Sequence, residues 1–288
     1  MLDQSEGNIA DQDILMSLQE IGPSYFKNIP QSSDYTVFFL TEGSGTYFAD
    51  IGKFEFKAPV LLFSTPLQKL SFIQDEELKG FVVNFHSDFY CIEYHKKRVA
   101  CNGLLFNNIY IEPSVVLDLN QLEFFKSLSL DIMNEFASSE LDEMVLRSYL
   151  QLFLAKSSSI KLKAMASPEV EKAKDEQMEA FRNLLEANYL KLHKPADYAE
   201  LLAMAPNTLS KKCQQYFGKS PSLMIQERLV MQAKKELHLT NHSIKEIAFA
   251  LHFADEFYFS RFFKKFTKVS PQSFRTSVGI SIVAQQPE

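Results

Sequence analysis

SIKEIAFALHFADEFYFSRFFKKFTKVSPQSFR, residues 243–275, reads as two helices joined by a tight turn. At about 100° per residue, Phe259, Phe262, Phe263 and Phe266 stand at i, i+3, i+4 and i+7 and share one apolar face that requires burial. The opposite face carries Phe257, Ser260, Arg261 and Lys264, with Lys265 at its margin. This is a short polar, cationic ridge with one odd aromatic, and such a ridge suits a DNA major groove. The preceding helix has its own stripe in Ile244, Ile247, Ala248 and Leu251, and it begins with Ser243 and Glu246 in the spacing of a capping box. The turn falls around His252 and Phe253, and Asp255 is placed to cap the second helix. The plain alternative is an αα-hairpin inside an ordinary helical core.

Repetition argues against that alternative. Residues 198–221, YAELLAMAPNTLSKKCQQYFGKSP, fall into register with residues 247–271, IAFALHFADEFYFSRFFKKFTKVSP, when one residue is dropped at the turn. Leu209-Ser210-Lys211 pairs with Phe259-Ser260-Arg261, and Ser220-Pro221 pairs with Ser270-Pro271, an internal repeat of roughly 50 residues. Between the copies, residues 225–239 place Leu229, Ala233 and Leu237 at helical spacing, with Arg228, Lys234 and Lys235 supplying charge. A single linking helix there holds the two units rigidly.

The run R-x4-A-x3-L at Arg228, Ala233 and Leu237, followed by SIKEIA, F-x4-YFSRFFKK and SPQSFR, resembles the AraC/XylS-type transcription regulators. The resemblance covers about residues 187–276 and is most specific in the C-terminal copy. It implies two helix-turn-helix units, joined by one helix, that enter two successive major grooves on one face of the DNA. Two positions depart from the pattern: the family usually has Gly where His252 and Lys268 stand, whereas Gly218 keeps the equivalent place in the first copy. Histidine tolerates a left-handed turn better than most non-glycine residues.

The candidate DNA contacts follow from the outward faces. In the first unit these are Asn207, Thr208, Ser210, Lys211 and Gln214. Asn and Gln can each pair with adenine, and Lys can reach guanine or phosphate, so this unit is expected to provide base discrimination. Pro206 suits the first helical position, but Ala205 stands where a capping Ser is expected, and the helix should fray more. Lys212 and Cys213 fall on the face that the family fills with large apolar residues, which predicts looser packing. In the second unit Glu256, Phe257, Ser260 and Arg261 are expected nearest the bases, with Lys264 and Lys265 on phosphates. Apolar contact with thymine methyls accounts for Phe257; sideways packing on the linking helix is the alternative.

Charge divides the chain. Residues 1–160 carry 11 Lys+Arg against 22 Asp+Glu, and residues 161–288 carry 19 against 14, so the overall net charge of −6 hides a basic C-terminal part. That asymmetry fits an electrostatic footprint on DNA. A length of 288 residues with 46% hydrophobic content allows two cores. The polar, acidic start MLDQSEGNIADQD and the lack of a long apolar run indicate neither a secretory signal nor a membrane span. Three cysteines, Cys91, Cys101 and Cys213, lack disulfide-framework spacing and suit a reducing cytoplasm.

The N-terminal half reads as strands: Tyr35 to Leu40, the alternating Phe54 and Phe56, Val60 to Phe63, Lys69 to Ile73 and Gly80 to Phe85, with a turn at Glu42 to Gly45. An antiparallel barrel or sandwich is the economical architecture. The family resemblance implies a cupin-like barrel with a small-molecule cavity, followed by helices that dimerise. Two antiparallel helices are expected over residues 119–157, one striped by Leu122, Phe125, Leu128, Ile132 and Phe136, the other by Met144, Leu146, Tyr149, Leu150, Phe153 and Leu154. The expected organisation is therefore α+β: a cupin-like sensor and dimerisation domain at 1–156, a linker at 157–177 and a tandem helix-turn-helix domain at 178–288.

Inward residues Phe38, Leu40, Phe54 and Phe56 are candidate walls of an effector cavity, with a filled core as the equal alternative. His86, Cys91, His95 and Cys101 include zinc-type ligands, but the spacing matches no standard finger, so a metal or redox sensor stays an alternative. The first histidine of the chain is His86, which argues against the early-strand ligands of a metal-dependent cupin enzyme. No catalysis and no cofactor are expected. Expected partners are double-stranded DNA, a small-molecule effector, a second copy of the chain and RNA polymerase, with no membrane; an architectural DNA binder without sequence preference is a further alternative.

Overall fold

The computed structural model describes residues 15–29, 31–50, 52–90, 92, 103–167 and 175–280. Its first half contains strands β1 (Met16–Ile21), β2 (Tyr35–Glu42), β3 (Ser44–Ala49), β4 (Gly52–Lys57), β5 (Val60–Ser64), β6 (Leu70–Gln74), β7 (Lys79–Phe85) and β8 (Ser114–Val116). They form two antiparallel sheets, a five-stranded one in the order β1-β7-β2-β5-β8 and a three-stranded one in the order β4-β3-β6. Among the described residues no ladder joins the two sheets, so the expected closed barrel is instead an open pair of packed sheets.

Burial on both faces explains the apolar runs of the larger sheet. In β2, Phe38 and Leu40 point into the space between the sheets, where they meet Tyr47, Phe56, Val60, Leu62 and Val82. Val37 and Phe39 point the other way, against helices α1 (Leu119–Phe136) and α2 (Glu143–Met165). Central strands covered on both sides read as continuous apolar stretches rather than alternating ones. The intersheet space is filled by rings: Phe38 lies 5.2 Å from Phe72 and 6.4 Å from Tyr47 between centroids. Phe38, Leu40 and Phe56 are thus part of the filled core between the sheets, and Phe54 borders a cavity of about 130 Å³.

Helix α1 starts with a full capping box, in which the Asp118 side chain accepts from Gln121 N at 2.8 Å and Gln121 Oε1 accepts from Asp118 N at 3.0 Å. Its stripe of Phe125, Leu128 and Ile132 is buried against the sheet and α2. Helix α2 runs to Met165, into the stretch expected as linker, with Ser157, Ser158, Ile160 and Lys161 buried. Ser157 Oγ donates to Phe153 O at 2.8 Å, and Lys161 donates to the carbonyl of Glu112, its ammonium brought down to about 8 by burial. A linker therefore begins later than position 157.

The second half is helical: α3 (Glu176–Asn188), α4 (Pro195–Leu201), α5 (Pro206–Phe217), α6 (Pro221–Leu239), α7 (Ile244–Ala250), α8 (Glu256–Thr267) and α9 (Pro271–Val278). Two cores form around α6. Met224, Ile225 and Leu229 join Phe181, Tyr198, Leu209 and Cys213 in one, while Ala233 and Leu237 join Ile247, Leu251, Phe259, Phe263 and Phe274 in the other. Among the described residues no helix is long and apolar enough to cross a membrane.

Phe125 is fully buried, with its ring 4.7 Å from that of Phe153. Phe125→Ala is expected to destabilise the chain by about 3–5 kcal/mol in urea unfolding, whereas Glu55→Ala on the exposed face of β4 should stay within about 0.5 kcal/mol.

Candidate nucleic-acid interface

The repeat seen in the sequence is a repeat of backbone. In the first unit the turn after α4 carries Ala203 at φ 50°, and Met204 N donates to Ala199 O at 2.9 Å; in the second the turn after α7 carries His252 at φ 57°, and Phe253 N donates to Ala248 O at 2.9 Å. Both turns thus use the same left-handed closure and six-to-one bond that satisfies a helix-end carbonyl. The second helices end alike as well, at Gly218 with φ 69° and at Lys268 with φ 66°. His252 and Lys268 accept a conformation for which glycine is the ordinary choice. Ser220 and Ser270 then cap the next helices, and Pro221 and Pro271 open them.

Capping differs between the copies. Ser243 Oγ accepts from Glu246 N at 3.2 Å while Ser243 N donates to Glu246 Oε2 at 2.7 Å, which completes the expected box on α7. The carboxyl of Glu246 is held below the usual range chiefly by that backbone N–H. Asp255 Oδ1 accepts from Tyr258 N at 2.6 Å at the start of α8. Helix α5 has no side-chain cap, as expected from Ala205.

The buried faces separate cleanly from the outward ones. Phe259 and Phe263 are fully buried, and Phe262 and Phe266 are half-buried. Cys213 is fully buried against Met178, with its thiol pushed up to about 12 by that burial. Lys212 reaches Asp175 at 2.6 Å, and this bond is the main reason the Asp175 carboxyl lies below its usual range. Helix α3 thereby closes the face on which small or polar residues stand, and the looser packing expected there is not found at Cys213.

Asn207, Thr208, Ser210, Lys211 and Gln214 are all exposed along α5. On α8, Phe257, Arg261, Lys264 and Lys265 are exposed, and Glu256 and Ser260 are half-buried. Gln214 turns its amide back, donating to Gly218 O at 2.9 Å. Arg228 is not available to DNA: its Nε lies 2.9 and 3.0 Å from the Glu186 carboxylate, and its guanidinium stacks 3.8 Å from the Tyr189 ring centroid. Arg275 is likewise occupied, donating to Leu237 O at 3.1 Å at the end of α6.

A second set of contacts ties this half to the N-terminal one. Tyr110 Oη donates to Glu186 Oε1 at 2.7 Å, and Lys219 Nζ donates to Ile109 O at 3.1 Å while pairing with Glu227 at 2.8 Å. A cleft of about 550 Å³ lies beside them, bordered by Tyr110, Arg182, Met231, Lys234 and His238 among others. The sequence carries no local signal for these contacts, because they arise only when distant segments dock. Cys91, His95 and Cys101 lie outside the described residues. His86 is described, with Nδ1 at 3.4 Å from Asp88 Oδ2, and among the described residues no group of three or more His, Cys, Asp or Glu could hold a metal.

Ala205→Ser supplies the missing cap of α5 and is expected to raise stability by about 1 kcal/mol, seen as a higher urea midpoint at unchanged slope. Ser220→Ala should lower it by about the same amount.

Residues 198–277 match the family model described as a helix-turn-helix domain. The chain is 23% identical over 270 residues to the raffinose operon transcriptional regulatory protein RafR of Pediococcus pentosaceus, covering 90% of this chain and 91% of that one. Among solved structures, apo ToxT of Vibrio cholerae is similar over 92% of this chain and 98% of its own, at 17% identity and a TM-score of 0.42. The C-terminal domain of AraT, a response regulator from Geobacillus stearothermophilus, is 27% identical, with a TM-score of 0.36 over 38% of this chain and 90% of its own. The matched segment spans both copies of the repeated unit and the helix between them, and together with the likeness to RafR over most of both chains it supports a DNA-binding transcription regulator of the AraC/XylS type.

Proposed function

We propose that the chain reads a bipartite DNA sequence through α5 and α8 and couples that binding to a signal received by its N-terminal half. The observation that carries this reading is the pair of helices set on one backbone frame, each with an outward, largely polar face: Asn207, Thr208, Ser210, Lys211 and Gln214 on one, Glu256, Phe257, Ser260, Arg261, Lys264 and Lys265 on the other. Sequence preference comes from base-edge contacts at the helix starts, and affinity from the lysines on phosphate. A cytoplasmic location and action on RNA polymerase follow from this reading, and no catalytic role is assigned.

The sensor and dimerisation domain is taken to end with α2, at Met165, and the DNA-binding domain to begin with the cap Asp175. Because the sandwich interior is filled, the effector is assigned to the 550 Å³ cleft between the two halves, where one molecule touches both. It acts only through its differential affinity for two arrangements of those halves. Dimerisation is assigned to the α1–α2 region. The stripe of α1 is already spent on the domain core, so the contact surface is the outer one that exposes Leu119 and Leu130.

Selection from a random DNA pool with the full chain at stated salt is expected to return two short blocks about one helical turn apart, and a duplicate of that pair where two chains bind. No enriched sequence would turn the reading towards an architectural binder. Asn207→Ala should relax one position at a cost of about 1–3 kcal/mol, whereas Lys264→Ala should weaken all sequences alike and reduce the salt slope by about one.

A further inference from the structure

We infer that Phe257 specifies thymine at one position by packing on its 5-methyl group, so that the two recognition helices read DNA by different chemistries. The inference rests on the proposed DNA reading and deepens it. Phe257 and Asn207 occupy the same place, the second residue of α8 and of α5, on backbones that enter through the same left-handed turn. Recognition helices present the residues of their first turn to base edges. At that place the first unit offers an amide and the second a phenyl ring.

The ring is 74% exposed, which removes sideways packing on α6 as its explanation. Its neighbour Tyr258 is anchored by a ring contact with Phe253, 5.8 Å between centroids, and belongs to the turn. Around Phe257 the ridge is polar: Ser260 at i+3, Arg261 at i+4 and Lys264 at i+7. Tyr258 and Phe249 are about half exposed as well, but on the face of α8 that carries Phe257 the next side chains are Ser260, Arg261 and Lys264, whose cations match a phosphate backbone. Among major-groove edges only thymine offers an apolar group, and one phenyl face covers one methyl. Half-buried Glu256 beside it disfavours close approach to phosphate and accepts from a cytosine amino group, which fits a base-facing turn.

The test removes the methyl and nothing else. In the site selected by the full chain, each thymine of the second block is replaced in turn by uracil. Wild-type binding should weaken about fourfold at one position, the equivalent of about 0.8 kcal/mol for one methyl-sized apolar group. Phe257→Ala should bind the thymine and uracil forms equally, with unchanged thermal unfolding because the ring is exposed. Phe257→Leu should keep the discrimination, and Phe257→Asn, the residue of the first unit, should move the selected base to adenine. If a site is selected but wild type tolerates uracil everywhere, or if Phe257→Ala still discriminates, the inference falls while the DNA reading stands. If Phe257→Ala weakens unrelated DNA as much as the selected site, the ring serves affinity, and the inference also falls. If no site is selected, the DNA reading itself has failed.

Discussion

Helix α6 buries two opposite ends of itself in two different cores, and the DNA-binding half depends on that division. Met224, Ile225 and Leu229 complete the first unit, and Ala233 and Leu237 complete the second. Neither unit can turn about α6 without uncovering apolar surface. At about 1.5 Å per residue, the 19 residues of α6 span about 28 Å, close to the rise of one DNA turn, about 34 Å. The helix is closed at both ends: Ser220 caps its start, and Arg275 holds the Leu237 carbonyl at its finish. Rigidity of the linker and spacing of the two recognition helices are therefore one property.

The units share a frame but differ in how firmly they hold it. In the second, Ser243 and Asp255 cap both helices, and the phenylalanine core surrounds Phe259 and Phe263. In the first, α5 begins without a cap, and its neighbour α4 also lacks one. Helix α3 compensates by covering Cys213 and pairing Asp175 with Lys212. Local opening should thus be easier in the first unit.

Legibility in the sequence followed periodicity. The helices of the two units were readable because Phe259, Phe263, Ile247 and Leu251 recur at helical spacing, and the left-handed turn at His252 only through the family resemblance, which usually has Gly there. The exposed set on α5 and α8 was readable from the same count. Closure of the strands was not, because alternation in Phe54 and Phe56 is the same in an open sheet as in a barrel. Strand β8 has three residues, too few for a pattern, and β1 begins where the chain reads as polar. The C-terminal turns of α2 were taken for linker since Ser157, Ser158 and Lys161 look solvated. In the fold Ser157 and Lys161 bond to backbone carbonyls and are buried, which hides polarity that composition alone reports.

The contacts between the halves bear on the same helix. Ile109 enters the first core and Leu67 the second, so the N-terminal half touches both units. Lys219, just before α6, holds Ile109 O and Glu227, while Tyr110 shares Glu186 with Arg228. Burial raises the pKa of Glu227, and Lys219 opposes that shift by pairing with it at 2.8 Å. A shift of residues 103–113 would draw Ile109 out of the first core, take its carbonyl from Lys219 and part Tyr110 from Glu186. On the proposed reading, an effector therefore need not approach α5 or α8; altering how that segment rests on α6 would be enough, because α6 packs against both units.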